Sequence, residues 1–253
     1  MKSVAKHMTG AGYDFGLSTT FASTEVIGSR TIAHVGPTGD LGRSDPDTCE
    51  LGDRLMKKVS LLLCKGFELY EAAAFYDVLG WSGAYGSETV EVVTVGLHTE
   101  VQGTFGITIL PNKLLSEIRA EEFDALAIPG GFEAYGYYEE AHSEAVAVLI
   151  RQFDSSKKHI ASICVGALPV ANSGILTGRR ATTYHLREGL RRKQLAGFGV
   201  NVVDQPVVHD GQVTTSTSPA TAMEVAFRLL AKLTGEENAN QIRYAMGFKQ
   251  DGA

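Results

Sequence analysis

His159-Ile160-Ala161-Ser162-Ile163-Cys164-Val165-Gly166-Ala167-Leu168 joins an apolar, strand-like run to a small-residue, helix-competent run, with a thiol at the junction. Strand, sharp turn and helix in immediate succession are the layout of a nucleophile elbow, in which the junction side chain sits on a strained turn. The N-terminus of the following helix favours a thiolate, the reactive form of cysteine. The plainer reading is a small buried hydrophobe at a strand end, since free cysteines are among the most buried residues. The chain on either side of the junction distinguishes the two.

Outward from Cys164, strand and helix signals alternate from residue 57 on. Val59 to Cys64 reads as a buried strand, and Leu69 to Trp81 as a helix with Leu69, Ala72, Ala73, Tyr76 and Leu79 at helical spacing. Val90 to Leu97 is a second strand, Gly106 to Leu110 a short one, and Ala125 to Ile128 another, ending in Pro129-Gly130-Gly131. Ser143 to Phe153 is an amphipathic helix. His159 to Ile163 is the strand that feeds Cys164, and Val165 to Ala171 the helix after it. Val202 to Val208 and Gln212 to Thr217 flank Asp210-Gly211 as a hairpin, and Pro219 to Leu233 is a helix with proline in its first turn. This alternation predicts a mainly parallel sheet covered by helices on both faces.

Ligands of open α/β sheets bind at the carboxyl ends of the strands, and three loops there carry polar chemistry. Glu71 lies in the first turns of the helix after Cys64-Lys65-Gly66. It is either a carboxylate favoured by the helix dipole or a carboxyl that shares one negative charge with the thiol. Gly130 and Gly131 permit close backbone approach, and their N–H groups together with that of Val165 suit an oxyanion; the alternative is a plain tight turn. His185, after Thr182-Thr183-Tyr184, is by residue type a candidate acid or base, or else structural.

The composition is globular, with 44% hydrophobic and 21% charged residues and a net charge of -6. With a pI of about 5.7 and no long basic run, non-specific nucleic-acid binding is not expected. Arg187, Arg191, Arg192 and Lys193 cluster around Glu188 and read as the solvated face of a helix. No run has the ~18 apolar residues of a membrane span and no secretory signal is visible. Three widely spaced cysteines, Cys49, Cys64 and Cys164, make no disulfide framework and suit a reducing cytoplasm; no CxxC or HExxH suggests a metal. Residues 1–55 are polar and aperiodic, and read as an N-terminal extension dispensable for folding, with the domain running over 56–253 and Met56 resembling a natural start. Within the extension, Thr31 to Val35 followed by Gly36-Pro37-Thr38-Gly39-Asp40-Leu41-Gly42 is similar to a dinucleotide-binding turn. Ser44-Asp45-Pro46-Asp47 then supplies loop chemistry where that fold needs a helix.

From Met56 to about Gly247 the chain resembles the ThiJ/PfpI family, in its parkinsonism-associated deglycase-like branch, within the class I glutamine amidotransferase-like superfamily. The resemblance rests on Lys65-Gly66 with Glu71, Phe123 to Gly131, Ile163-Cys164-Val165-Gly166, Ala181-Thr182-Thr183, and Thr214 to Ala226. It implies a flavodoxin-like three-layer sandwich and a homodimer built on the first helix or the C-terminal segment. It further implies cofactor-free action on a small reactive carbonyl, of the glyoxalase or deglycase type. Cys164 is then the reactive cysteine and Glu71 its partner, with Gly130 and Val165 supplying oxyanion amides. A redox-sensing stress chaperone without significant turnover and an isonitrile hydratase-like enzyme are the alternatives. Tyr184 stands where the deglycase branch has histidine, with His185 one place later. Thr217-Ser218-Pro219 stands where that branch has an arginine. Val165 stands where PfpI-like proteases have histidine, which argues against their triad. Isonitrile hydratases use an aspartate near the first loop; Glu71 points away from them, while Asp77 and Trp81 keep them open.

Overall fold

The computed structural model describes residues 56–248; the extension at 1–55, with Cys49 and the glycine-rich turn, lies outside the described residues. The strands are β1 (Lys57–Leu63), β2 (Val90–Gly96), β3 (Val101–Gln102), β4 (Thr108–Ile109), β5 (Lys113–Leu114), β6 (Ala125–Ile128), β7 (His159–Ser162), β8 (Arg180–Ala181), β9 (Asn201–Val202), β10 (Val207–Asp210) and β11 (Val213–Ser216). The helices are α1 (Leu69–Tyr85), α2 (Tyr137–Ala141), α3 (Glu144–Ser155), α4 (Ala167–Asn172), α5 (Leu190–Gly197), α6 (Ala222–Thr234) and α7 (Glu236–Ala245).

The main sheet has the order β10-β11-β7-β6-β1-β2-β5, and every pairing is parallel except β10–β11. Its centre is buried on both faces, which is why β6 and β7 carry no exposed alternate positions. Helices α1, α6 and α7 pack together on one face, and α3 and α4 on the other. This is the α/β flavodoxin-like sandwich that the sequence predicts. The strand order reverses between β1 and β6, so a crevice opens outside their carboxyl ends. No helix among the described residues is long and apolar enough to cross a membrane.

Four features differ from the sequence reading. Helix α1 runs on to Tyr85, past Gly80, Ser82 and Gly83, which are weak helix formers. Tertiary bonding carries it: the Ser82 hydroxyl donates to Leu79 O at 2.5 Å and accepts from Val90 N at 2.9 Å. The run predicted as one strand over 202–208 is broken. β9 pairs with β8, the exposed residues Asp204-Gln205-Pro206 cross over, and β10 then pairs with β11. The hairpin turn is Gly211-Gln212, one residue later than predicted, because Asp210 pairs with Val213 while its carboxylate accepts the Arg180 N–H at 2.8 Å. Helix α7 escapes periodicity because it buries little besides Ala239 and Ile242. Buried Asn238 fastens it by accepting from Ser87 N at 2.8 Å and donating to Thr234 Oγ1 at 2.9 Å.

Candidate active site

Three neighbouring strands bring the site together. β1 leads to Glu71, β6 to Pro129-Gly130-Gly131, and β7 to Cys164. Cys164 has φ +56, a left-handed conformation that costs a non-glycine residue about 1 kcal/mol or more. One tight helical turn, Cys164–Gly166, intervenes before α4, so the helix predicted from Val165 opens as a 3-10 turn. The surroundings hold the strained turn: Thr183 Oγ1 donates to Cys164 O at 2.8 Å and Gly166 N to Ile163 O at 2.8 Å. Gly166 is required, since a Cβ there would lie 2.7 Å from Ile128 O.

Glu71 is wholly buried. The Glu68 side chain caps α1 by accepting Glu71 N at 2.9 Å, which fixes the helix start and aims Glu71 inward. Its Oε2 accepts the Gly130 N–H at 2.6 Å, while Oε1 is buried without a hydrogen-bond partner. The Cys164 thiol is the polar side chain beside this carboxyl. Burial raises the Glu71 carboxyl to about 8, against the lowering effect of the Gly130 N–H. Burial, followed by the charge of Glu71, raises the Cys164 thiol, against the N–H of Val165. The acidic thiol expected from a helix N-terminus alone is not what the site gives: burial opposes the thiolate first and the charge of Glu71 second. With both groups raised, the pair favours keeping both protons at neutral pH, and the loss of one opposes the loss of the other. When the proton sits on Glu71, its charge no longer opposes the thiolate and its O–H is a donor to the sulfur.

The other sequence-predicted residues divide. Gly130 N–H is engaged by Glu71, so Gly130 positions the acid rather than offering an amide to a ligand. A Cβ at Gly130 would lie 2.9 Å from Glu71 Oε2 and 3.0 Å from Val165 N, so only glycine brings the three groups this close. Gly131 and Val165 line a cavity of about 410 Å³ together with Glu68, Glu71, Phe132, Cys164 and Tyr184. The Gly131 N–H donates to no protein acceptor among the described residues. His185 is exposed and does not line the cavity; the chain turns so that Tyr184 does. Asp77 is exposed on α1, also off the cavity. Cys64, just after β1, is almost fully buried, and burial raises its thiol far above the ordinary range.

The basic cluster is only in part the solvated face that the sequence suggests: Arg187 and Lys193 are exposed, while Arg191 and Arg192 are half-buried in ion pairs. Arg187 and Arg191 line the cavity, and Arg191 pairs with Glu133 at 2.8 Å over the Tyr138 ring, 5.1 Å away. Arg192 pairs with Asp204 at 2.5 Å. Sequence reasoning also passes over Tyr137, fully buried beneath the glycine loop, whose hydroxyl donates to Pro129 O at 2.7 Å. Its position six residues after Gly131 is the one signal of that role. Among the described residues no group of three His, Cys, Asp or Glu side chains is arranged to hold a metal ion.

Residues 57–232 match the DJ-1/PfpI family. The protein dj-1beta of Drosophila melanogaster is 29% identical over 190 residues, spanning 74% of this chain and 95% of the relative. The crystal structure of Drosophila melanogaster DJ-1beta superposes with a TM-score of 0.68 at 28% identity, covering 78% of this chain and all of that one. Toxoplasma gondii DJ-1, solved in an oxidised form, superposes with a TM-score of 0.64 at 25% identity, covering 77% of this chain and all of that one.

Proposed function

The chain belongs to the DJ-1/PfpI family, and from that premise we propose that it is a cysteine-dependent enzyme acting on reactive carbonyls, as a glutathione-independent glyoxalase or a deglycase. One observation carries the reading. A thiol on a strained elbow meets a buried carboxyl raised to about 8, in a cavity lined also by Gly131 and Val165.

In this reading the Cys164 thiolate attacks the aldehyde carbon of a 2-oxoaldehyde. A C–S bond forms and the carbonyl electron pair moves onto oxygen, held by the Gly131 and Val165 N–H groups. That oxygen takes the proton of Glu71, and the carboxylate so produced removes the hydrogen on the attacked carbon as a proton. Passing the O–H proton to the other oxygen and returning the carbon's proton to the neighbouring carbon leaves a thioester, and water then releases a 2-hydroxy acid and the thiolate, with one proton going back to Glu71. The chain's own groups supply every proton transfer. Asp77, exposed and off the cavity, lends no support to the isonitrile alternative.

The test is consumption of methylglyoxal without added glutathione or metal. Loss of dicarbonyl by the wild type and none by Cys164→Ala, with the variant folded and the wild-type thiol shown to be reduced, is the expected result. Equal rates in the two proteins would refute the reading. A redox-sensing role is the second reading, supported by the oxidised form of the Toxoplasma gondii relative and by the access that the cavity gives to Cys164. Peroxide would then place sulfinate on Cys164 before Cys64.

A further inference from the structure

We propose that Arg187 makes this site selective for carbonyl substrates that carry a carboxylate, an inference that rests on the carbonyl reading above and narrows its substrate class. The cavity volume of about 410 Å³ far exceeds the size of a three-carbon dicarbonyl, so the site has room for a longer substrate with a second group to recognise. Its lining carries the charged side chains Glu68, Glu71, Glu133, Arg187 and Arg191. Glu68 caps α1 and Glu71 holds the Gly130 N–H. Arg191 and Glu133 are bound to each other, and Arg191 also donates to Gln194 at 2.9 Å. Of the five, only the Arg187 side chain has no ion pair or hydrogen bond among the described residues; its carbonyl accepts from Leu190 N at 3.3 Å.

The backbone explains why Arg187 faces the cavity. Arg187, Glu188 and Gly189 are three consecutive left-handed residues, with φ +53, +60 and +68. The turn parts Arg187 from its acidic neighbour: Arg187 lines the cavity, and Glu188 does not. Phe132, Val165, Leu186 and Pro219 supply apolar wall around the exposed Arg187. A guanidinium in such a place presents paired N–H donors that match a carboxylate. A carbonyl held at Cys164, with its carboxylate at Arg187, would engage both groups in the one cavity.

The test compares two alkylating agents on the full chain. Iodoacetate and iodoacetamide both lose iodide as the Cys164 sulfur bonds to their CH₂ carbon; they differ only in carboxylate against neutral amide. Modification of Cys164 is followed by peptide mass spectrometry, and the rate ratio of iodoacetate to iodoacetamide is the readout. Arg187→Gln should lower that ratio about fivefold, Arg187→Glu more, and Arg187→Lys little, with the wild-type advantage shrinking as salt rises. These variants keep a Cβ at the left-handed position, and any general slowing cancels in the ratio. An unchanged ratio in Arg187→Gln overturns the proposal whether or not dicarbonyl is consumed. A lowered ratio in a protein without dicarbonyl turnover retains the anion selectivity and removes the enzyme reading. With turnover, 4,5-dioxopentanoate should show a lower KM than neutral 2-oxopentanal, and Arg187→Gln should abolish the difference.

Discussion

Glu71→Gln separates the proton of the buried carboxyl from its shape. The ordinary glutamate value is 4.5 and burial raises Glu71 to about 8. At ~1.4 kcal/mol for each tenfold change in proton affinity, the native preference for the protonated form amounts to ~5 kcal/mol. The sign follows from proton counting. Between about pH 4.5 and about pH 8 the unfolded chain has released this proton and the native protein still holds it, so unfolding releases a proton and stability falls as pH rises. Glutamine has no such proton. The stability of wild type minus that of Glu71→Gln should therefore decline by several kcal/mol across this window, up to ~5, and level off above about pH 8. Urea denaturation of both proteins at a series of pH values measures it. Burial also lowers the pKa values of His142, His159 and His209, which stabilises the native protein as pH rises, but these groups are common to both proteins and cancel. A difference that stays flat from pH 5 to 8 refutes the reasoning. The same proteins give a kinetic readout. The pH profile of Cys164 alkylation should change shape once no carboxyl proton is shared with the sulfur, and superimposable profiles would remove Glu71 from the site.

Gly130→Ala places a Cβ 2.9 Å from Glu71 Oε2 and 3.0 Å from Val165 N; it should cost ~1–3 kcal/mol in urea denaturation and slow alkylation of Cys164, and wild-type behaviour in both would contradict the packing argument. His185→Ala, exposed and off the cavity, should leave dicarbonyl turnover within about twofold. A loss of ~100-fold, the size expected for a general acid or base, would return it to the reaction.

The fold was largely legible because its buried strands are continuous apolar runs and helices such as α3 and α6 have strong periodicity. Ala125–Ile128 and Ser143 onward are read from sequence almost as they stand. The elbow was legible for the same reason: the strand signal stops at Cys164 and a helical one starts. Other features were hidden because they depend on partners far along the chain. Ser82 is a helix-weakening residue until Val90 N–H reaches it. Asn238 is polar and unremarked until Ser87 docks on it. His185 and Tyr184 differ by one residue, and the course of the loop puts Tyr184 rather than His185 on the cavity. The arginines read as a solvated helix face because charge spacing in a sequence carries no sign of the wall opposite.

The adjacency of β1, β6 and β7 has a further consequence. Acid, glycine loop and thiol ride on three strands laced together at the middle of the sheet, so parting them means shearing the domain's centre. Amide hydrogen exchange at Gly130 should accordingly wait for global unfolding. The loop that carries Tyr184, Leu186 and Arg187 has no such tether: it runs at the surface between β8 and α5. Mutations there can redraw what enters the cavity while leaving the bond-making groups in place. Evolution thus has separate handles on chemistry and on choice of substrate, one locked into the sheet and the other free to drift.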